Sequence, residues 1–144
     1  MVTERPAEGL RALVVDDDRA IRDLLRAVLE LDGWLVEEAE DGDQALDRAR
    51  SAPPHAMVLD IMMPAKDGFA VLSELRRDPR GRDIAIVVLT AKTQPADILR
   101  GTRLGADAYI TKPFDPDDVA RQLVLFARRR SPGRMRSGAE ERLR

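Results

Sequence analysis

Cysteine is absent from the 144 residues, and histidine occurs once, at His55. These gaps exclude a disulfide framework and zinc sites of the Cys/His type. Long apolar runs are missing too. The longest, Ile84 to Leu89, is far too short to span a bilayer. The opening MVTERPAEGL has no basic segment followed by an apolar one, so no secretory signal is read and a cytoplasmic protein is expected. Also lacking is a basic surplus: 24 Lys and Arg stand against 26 Asp and Glu. Residues 128 to 144 hold seven Arg against two Glu, which leaves 17 basic against 24 acidic residues in the rest. A body of that sign does not grip duplex phosphates, so direct DNA binding by this chain is not expected.

What is present is one domain's worth of chain with 44% apolar residues, enough to build a core without staples. Short apolar runs alternate with segments of helical period, the pattern of βαβ units around a parallel sheet. The strands read as Ala12 to Val15, Trp34 to Ala39, Ala56 to Leu59, Ile84 to Leu89 and Ala108 to Thr111. Only the second alternates with charge, which suggests an edge. The first helix carries Ile21, Leu24, Leu25, Val28 and Leu29 as its apolar stripe and ends at Gly33. Asp41, Asp67 and Asp115 precede later helices as caps, Pro95 and Pro116 sit in first turns, and Gly105 closes the fourth helix. His55 follows two prolines and reads as a surface loop residue; Trp34 reads as packing at the start of an edge strand. The boundaries expected are an extension over 1–9, a domain over 10–130, and a basic flexible tail or truncated linker over 131–144.

Polar residues stand at the carboxyl ends of four strands: Asp16 and Asp17, Asp60, Thr90 and Lys112. In open α/β sheets that edge holds the ligand. Carboxylates converging there repel one another, and a hard divalent cation with oxygen ligands offsets the repulsion, Mg²⁺ fitting best. With a hydroxyl and an ammonium added, the set suits a phosphoryl group. Taken singly these residues mean little, since Asp caps helices and Lys faces solvent. Asp18 reads as such a cap. Asp60 differs, because it interrupts the apolar run Met57 to Met63, where an unpaired carboxylate is costly.

The motifs VVDDD at 14–18, LDIMMPAKDG at 59–68, LTA at 89–91 and ADAYITKPF at 106–114 resemble those of the response-regulator receiver domain. Their spacing is similar as well, with 30 positions from Asp60 to Thr90 and 22 from Thr90 to Lys112. The resemblance, over about residues 10 to 130, implies a flavodoxin-like doubly wound α/β fold. Its five parallel strands would run in the order 2-1-3-4-5 with five helices. It implies that Asp60 accepts a phosphoryl group from a sensor histidine kinase or a histidine phosphotransfer protein, and that a slow self-catalysed dephosphorylation follows. Asp17, Asp60 and the main-chain carbonyl of Met62 would ligate Mg²⁺, with Asp16 acting mostly through water. Thr90 and Lys112 would hold phosphoryl oxygens, and Pro113 would follow a cis peptide bond. Tyr109 would be an aromatic switch moving with Thr90. The output would be a change of the helix 4, strand 5 and helix 5 surface, met by a downstream protein or a second copy. No membrane partner is expected.

Two alternatives stand beside this reading. One is the receiver part of a longer DNA-binding regulator. Against it, GADAY at 105–109 departs from the GADDY usual in such regulators, and Ala108 removes an acid of their dimer contacts. The other is a haloacid-dehalogenase-like phosphatase with Asp16 as nucleophile, which leaves Asp60 to Gly68 unexplained. In the fifth helix Leu123 to Ala127 are consecutive apolar residues, more than one buried stripe needs, so Val124 or Leu125 is expected at or beyond the buried boundary.

Overall fold

The computed structural model describes residues 5–130. Strands and helices alternate strictly as β1 (Arg11–Val15), α1 (Arg19–Leu31), β2 (Leu35–Ala39), α2 (Gly42–Ser51), β3 (Ala56–Leu59), α3 (Gly68–Arg77), β4 (Ala85–Thr90), α4 (Pro95–Leu104), β5 (Ala108–Thr111) and α5 (Pro116–Arg130). The strands form one parallel sheet in the order β2-β1-β3-β4-β5. A parallel sheet needs helices on both faces, so its inner strands meet apolar groups above and below. That is why β3 and β4 are buried at every residue, while edge strand β2 alternates between exposed and covered positions.

Alternate residues of each strand point to opposite faces and build two cores. Ala12, Val14, Val58 and Val87 face α1 and α5, where Leu25, Leu29, Val119 and Leu123 are buried. Leu13, Val15, Met57 and Val88 face the other way, against Leu46, Phe69, Leu72 and Leu75 of α2 and α3. Asp18, Asp41 and Asp67 cap their helices by accepting backbone N–H bonds from Ala20, Gln44 and Phe69. Asp115 accepts the N–H of Asp117 at 2.9 Å at the start of α5. Gly105 closes α4 at φ 109, a left-handed conformation that strains a residue with a β-carbon.

The structure departs from the sequence reading in details of packing. In α1 the buried residues are Arg22, Leu25 and Leu29, while Leu24 is largely exposed, so the buried face is rotated by part of a turn from the apolar stripe. Burying Arg22 is tolerable because its guanidinium donates to the Asp16 carbonyl and to Glu38, with the Glu40 carboxylate close by. In α5, by contrast, the structure agrees with the sequence: the buried boundary falls between the two expected residues, with Val124 inside at 8% exposure and Leu125 outside at 44%. The segment before β1 is drawn into the fold: Ala7 is fully buried, and its N–H donates to the Asp32 carbonyl at 2.8 Å. Trp34 is buried with Ala7, Leu10 and Leu29, and among the described residues its indole N–H has no hydrogen-bond partner. His55 is half-buried, and its Nδ1 accepts the Arg11 N–H at 3.0 Å. Among the described residues no helix is long and apolar enough to cross a membrane. The basic stretch 131–144 lies outside the described residues.

Candidate functional site

In a parallel sheet all strands deliver their carboxyl ends to the same edge, and register then decides which residues meet there. Val15 of β1 stands opposite Leu59 of β3, so the residues that follow, Asp16 and Asp60, leave adjacent strands side by side. Thr90 stands opposite Thr111, which sets Lys112 just beyond the end of β4. The Lys112 N–H donates to the Thr90 carbonyl at 2.8 Å, and the Lys112–Pro113 peptide is cis.

The resulting cluster is compact. Carboxylate oxygens of Asp16, Asp17 and Asp60 lie within 4.8 Å of one another. Asp16 and Asp60 are buried at 2% and 4% exposure, while Asp17 is open to solvent. Lys112 Nζ lies between the two buried carboxylates, 2.8 Å from Asp16 Oδ2 and 3.1 Å from Asp60 Oδ2. The remaining oxygens are held by the backbone: Asp16 Oδ1 accepts the Asp18 N–H and Asp60 Oδ1 accepts the Met62 N–H, each at 2.9 Å. The Met62 side chain itself points largely into solvent.

Burial pushes the Asp16 carboxyl above its ordinary value, and the nearby Asp60 charge adds to this, against the lowering effect of Lys112 and the Asp18 N–H. Burial works against the Lys112 ammonium, but the carboxylates of Asp16 and Asp60 outweigh it and the pKa is raised. One ammonium therefore compensates two buried acids, and Asp17 adds a further negative group at the mouth. An all-oxygen set with one open side fits a hard divalent cation such as Mg²⁺, which keeps several waters and takes only one or two carboxylates directly.

Thr90 is fully buried at the end of β4, and its Oγ1 accepts the Lys92 N–H at 3.3 Å, leaving the hydroxyl able to donate. Tyr109 is half-buried and its hydroxyl donates to the Lys92 carbonyl at 2.9 Å. Its ring lies against Gly101 of α4, where an added β-carbon would come within 3.0 Å of Cδ2 and Cε2. The missing side chain makes room for the ring. Burial raises the phenol pKa, with the charges of Asp97 and Asp60 adding to it.

Arg22, which no motif of the sequence marks, contacts this site. Its Nη1 donates to the Asp16 main-chain carbonyl at 2.9 Å. The available signal was its position three and seven residues before Leu25 and Leu29, which places a charge on the buried face of α1.

Residues 12–124 match the family model of the response regulator receiver domain, and the chain belongs to that family. This displaces the phosphatase alternative. Among curated proteins the chain is 44% identical over 123 residues to the response regulator MprA of Mycolicibacterium vanbaalenii, covering 85% of this chain and 52% of that protein. The same identity holds against MprA of Mycobacterium avium, of which 53% is covered. The chain thus spans about half the length of the curated relatives it matches. Of solved structures, the CheY-like receiver domain protein of Methanospirillum hungatei superposes with a TM-score of 0.80 at 26% identity, covering 85% of this chain and 97% of that one. Chemotaxis response regulator CheY4 of Vibrio cholerae gives 0.76 at 31% identity, covering 81% and 98%.

Proposed function

We propose that Asp60 is the phosphoacceptor of a two-component switch. The observation that carries the reading is the Lys112 ammonium seated between the buried carboxylates of Asp16 and Asp60, with Asp17 at the mouth. An Asp60 oxygen attacks the phosphorus of a phosphohistidine on a sensor histidine kinase or histidine phosphotransfer protein. The O–P bond forms as the P–N bond breaks, and the electron pair leaves with the imidazole. Hydrolysis reverses the state when water attacks phosphorus and the Asp60 carboxylate departs, releasing inorganic phosphate.

Asp17, Asp60 and the Met62 carbonyl would hold Mg²⁺, with Asp16 acting through water; the cation supplies charge stabilisation for the transferring group. Lys112 binds and orients a phosphoryl oxygen after loosening from Asp60, and the Thr90 hydroxyl donates to another. A shift of Thr90 toward the phosphoryl group alters the neighbouring β4–α4 connection, and with it the carbonyl of Lys92 that holds Tyr109. The output is read on the surface flanking β5. Ile98 and Leu99 of α4 and Leu125 of α5 are the large apolar side chains exposed on the two helices, available to a downstream protein or a second copy. A cytoplasmic setting suits a kinase partner of this kind.

A second reading is favoured by one observation, the roughly twofold greater length of the curated relatives: the chain is then the receiver part of a longer, DNA-binding regulator.

Intact-mass measurement after treatment with acetyl phosphate and Mg²⁺ tests the assignment. The wild-type protein should gain one phosphoryl group, and Asp60→Asn none. An Asp60→Asn protein that is still labelled moves the nucleophile elsewhere and overturns the reading.

A further inference from the structure

Arg22 is buried to 7% exposure, and taking a guanidinium out of water is costly unless its donors are paired. Its donors reach groups on two strands. Nη1 donates to the main-chain carbonyl of Asp16 at 2.9 Å, Nε donates to Glu38 Oε1 on β2 at 3.0 Å, and Nη2 lies 3.7 Å from Glu40 Oε1 just beyond β2. Glu38 is fixed in turn by Arg26 Nε at 2.7 Å. The Asp16 carbonyl belongs to the peptide that joins Asp16 to Asp17. The guanidinium therefore grips the peptide that joins two of the three clustered carboxylate residues, and the tilt of that peptide helps set where both carboxylates sit.

We propose that Arg22, oriented by Glu38, is a positioning residue for the cation pocket: it fixes the Asp16–Asp17 peptide and so the placement of the carboxylates that receive Mg²⁺. The proposal rests on the reading of Asp16, Asp17 and Asp60 as a cation site. Its signature is a sign. A positive charge near a cation site repels the cation, so if Arg22 acted through charge alone, removing it would tighten Mg²⁺ binding. If it acts by holding the peptide, removing it loosens binding despite the lost repulsion. A role confined to fold stability would lower the unfolding midpoint and leave the affinity of the folded protein unchanged.

The experiment is a titration of the full chain with MgCl₂, followed by NMR through the backbone amides of residues 16–18 and 60–62, beside urea unfolding without metal. Arg22→Met should weaken Mg²⁺ binding roughly tenfold, the lower end of the ~10–100-fold loss typical when a group supporting a metal ligand is removed. Arg22→Lys keeps the charge but not the planar fork, and should weaken binding as Arg22→Met does. Glu38→Gln should shift affinity in the same direction by less, and carries the test with Arg22→Lys if Arg22→Met does not fold. The exposed Arg19 serves as a charge control, and Arg19→Ala should bind as tightly as wild type or slightly tighter. Wild-type affinity or better in Arg22→Met, or wild-type affinity in Arg22→Lys, overturns the proposal while leaving the cation site standing. A wild-type protein whose amides do not respond to MgCl₂ overturns the cation site itself, and the role of Arg22 with it.

Discussion

At the scale of single residues, Lys112 shows how chemistry is written in a choice of side chain. Three lysines stand among 21 arginines, and one of them lies where a compact ammonium must fit between carboxylates 2.8 and 3.1 Å away. A planar guanidinium needs more room and spreads its charge. Lys112→Arg should still be labelled at Asp60 by acetyl phosphate. The difference in amide hydrogen exchange between labelled and unlabelled protein across α4, β5 and α5 should be largely lost. An unchanged exchange difference would reduce Lys112 to a counter-charge. Ala65 illustrates a local cost. It sits at φ 72 in the loop after Asp60, at the centre of a tight turn in which the Lys66 N–H donates to the Pro64 carbonyl at 2.9 Å. A β-carbon in that region costs roughly 1–2 kcal/mol, against the roughly 0.4–1 kcal/mol that glycine loses through its freer unfolded chain. Ala65→Gly should therefore raise unfolding stability by up to about 1.5 kcal/mol in urea melts.

At the scale of elements, helix faces were legible where capping and periodicity agree and misread where a charge is buried. The caps at Asp41, Asp67 and Gly105 follow from local chemistry alone. The buried face of α1 does not, because Arg22 is covered only when β2 brings Glu38 to it. In α5 the run Leu123 to Ala127 forced some apolar group outward, but which one depended on how the helix seats on β3, β4 and α1. The seating leaves Leu125 outside and Val124 inside. These two neighbours give an internal control. Leu125→Asp should change stability by no more than about 0.5 kcal/mol, as expected of an exposed site, while leaving Asp60 labelling intact. It should weaken any phosphorylation-dependent self-association seen by sedimentation. Val124→Asp buries an unpaired carboxylate and should cost about 3 kcal/mol or more. Equal stability of the two variants would contradict this seating of α5.

At the scale of the molecule, the acidic balance is tied down by guanidinium bridges between elements. Asp78, at the end of α3, is lowered to about 2 by the hydrogen bond from the Arg80 side chain, then by the Arg80 N–H, with Arg50 of α2 adding to it. Its unfolded value is near 3.8, so the stabilisation is present above about pH 4 and is lost as the pH falls from there toward 2. Urea midpoints of wild type and Asp78→Asn should differ most near pH 7 and converge as the pH drops below 4. A gap that stayed constant across this range would remove the ionic part of the contact. At the amino-terminal edge of the strands, Arg76 and Arg130 converge on Asp107 at 3.2 and 2.9 Å, binding α3 and the end of α5 to the turn before β5.

The sequence by itself determined the alternation of strands and helices, the edge character of β2, most helix ends, and the residues that leave each strand at its carboxyl end; that β5 is the other edge came only with the strand order. Those features depend on neighbours a few positions away, within reach of propensity and pattern. Strand order was legible only through resemblance to the receiver family, since period-2 alternation says nothing of which strand lies beside which. The tertiary structure decided which face of α1 and α5 is buried, that Ala7 and Trp34 share a core, and that Arg22 grips the Asp16 carbonyl. It alone brought Lys112 to Asp16 and Asp60, 96 and 52 positions earlier in the chain. Contacts over such distances are set by parallel register and by the seating of crossover helices, and the whole chain must fold before either exists.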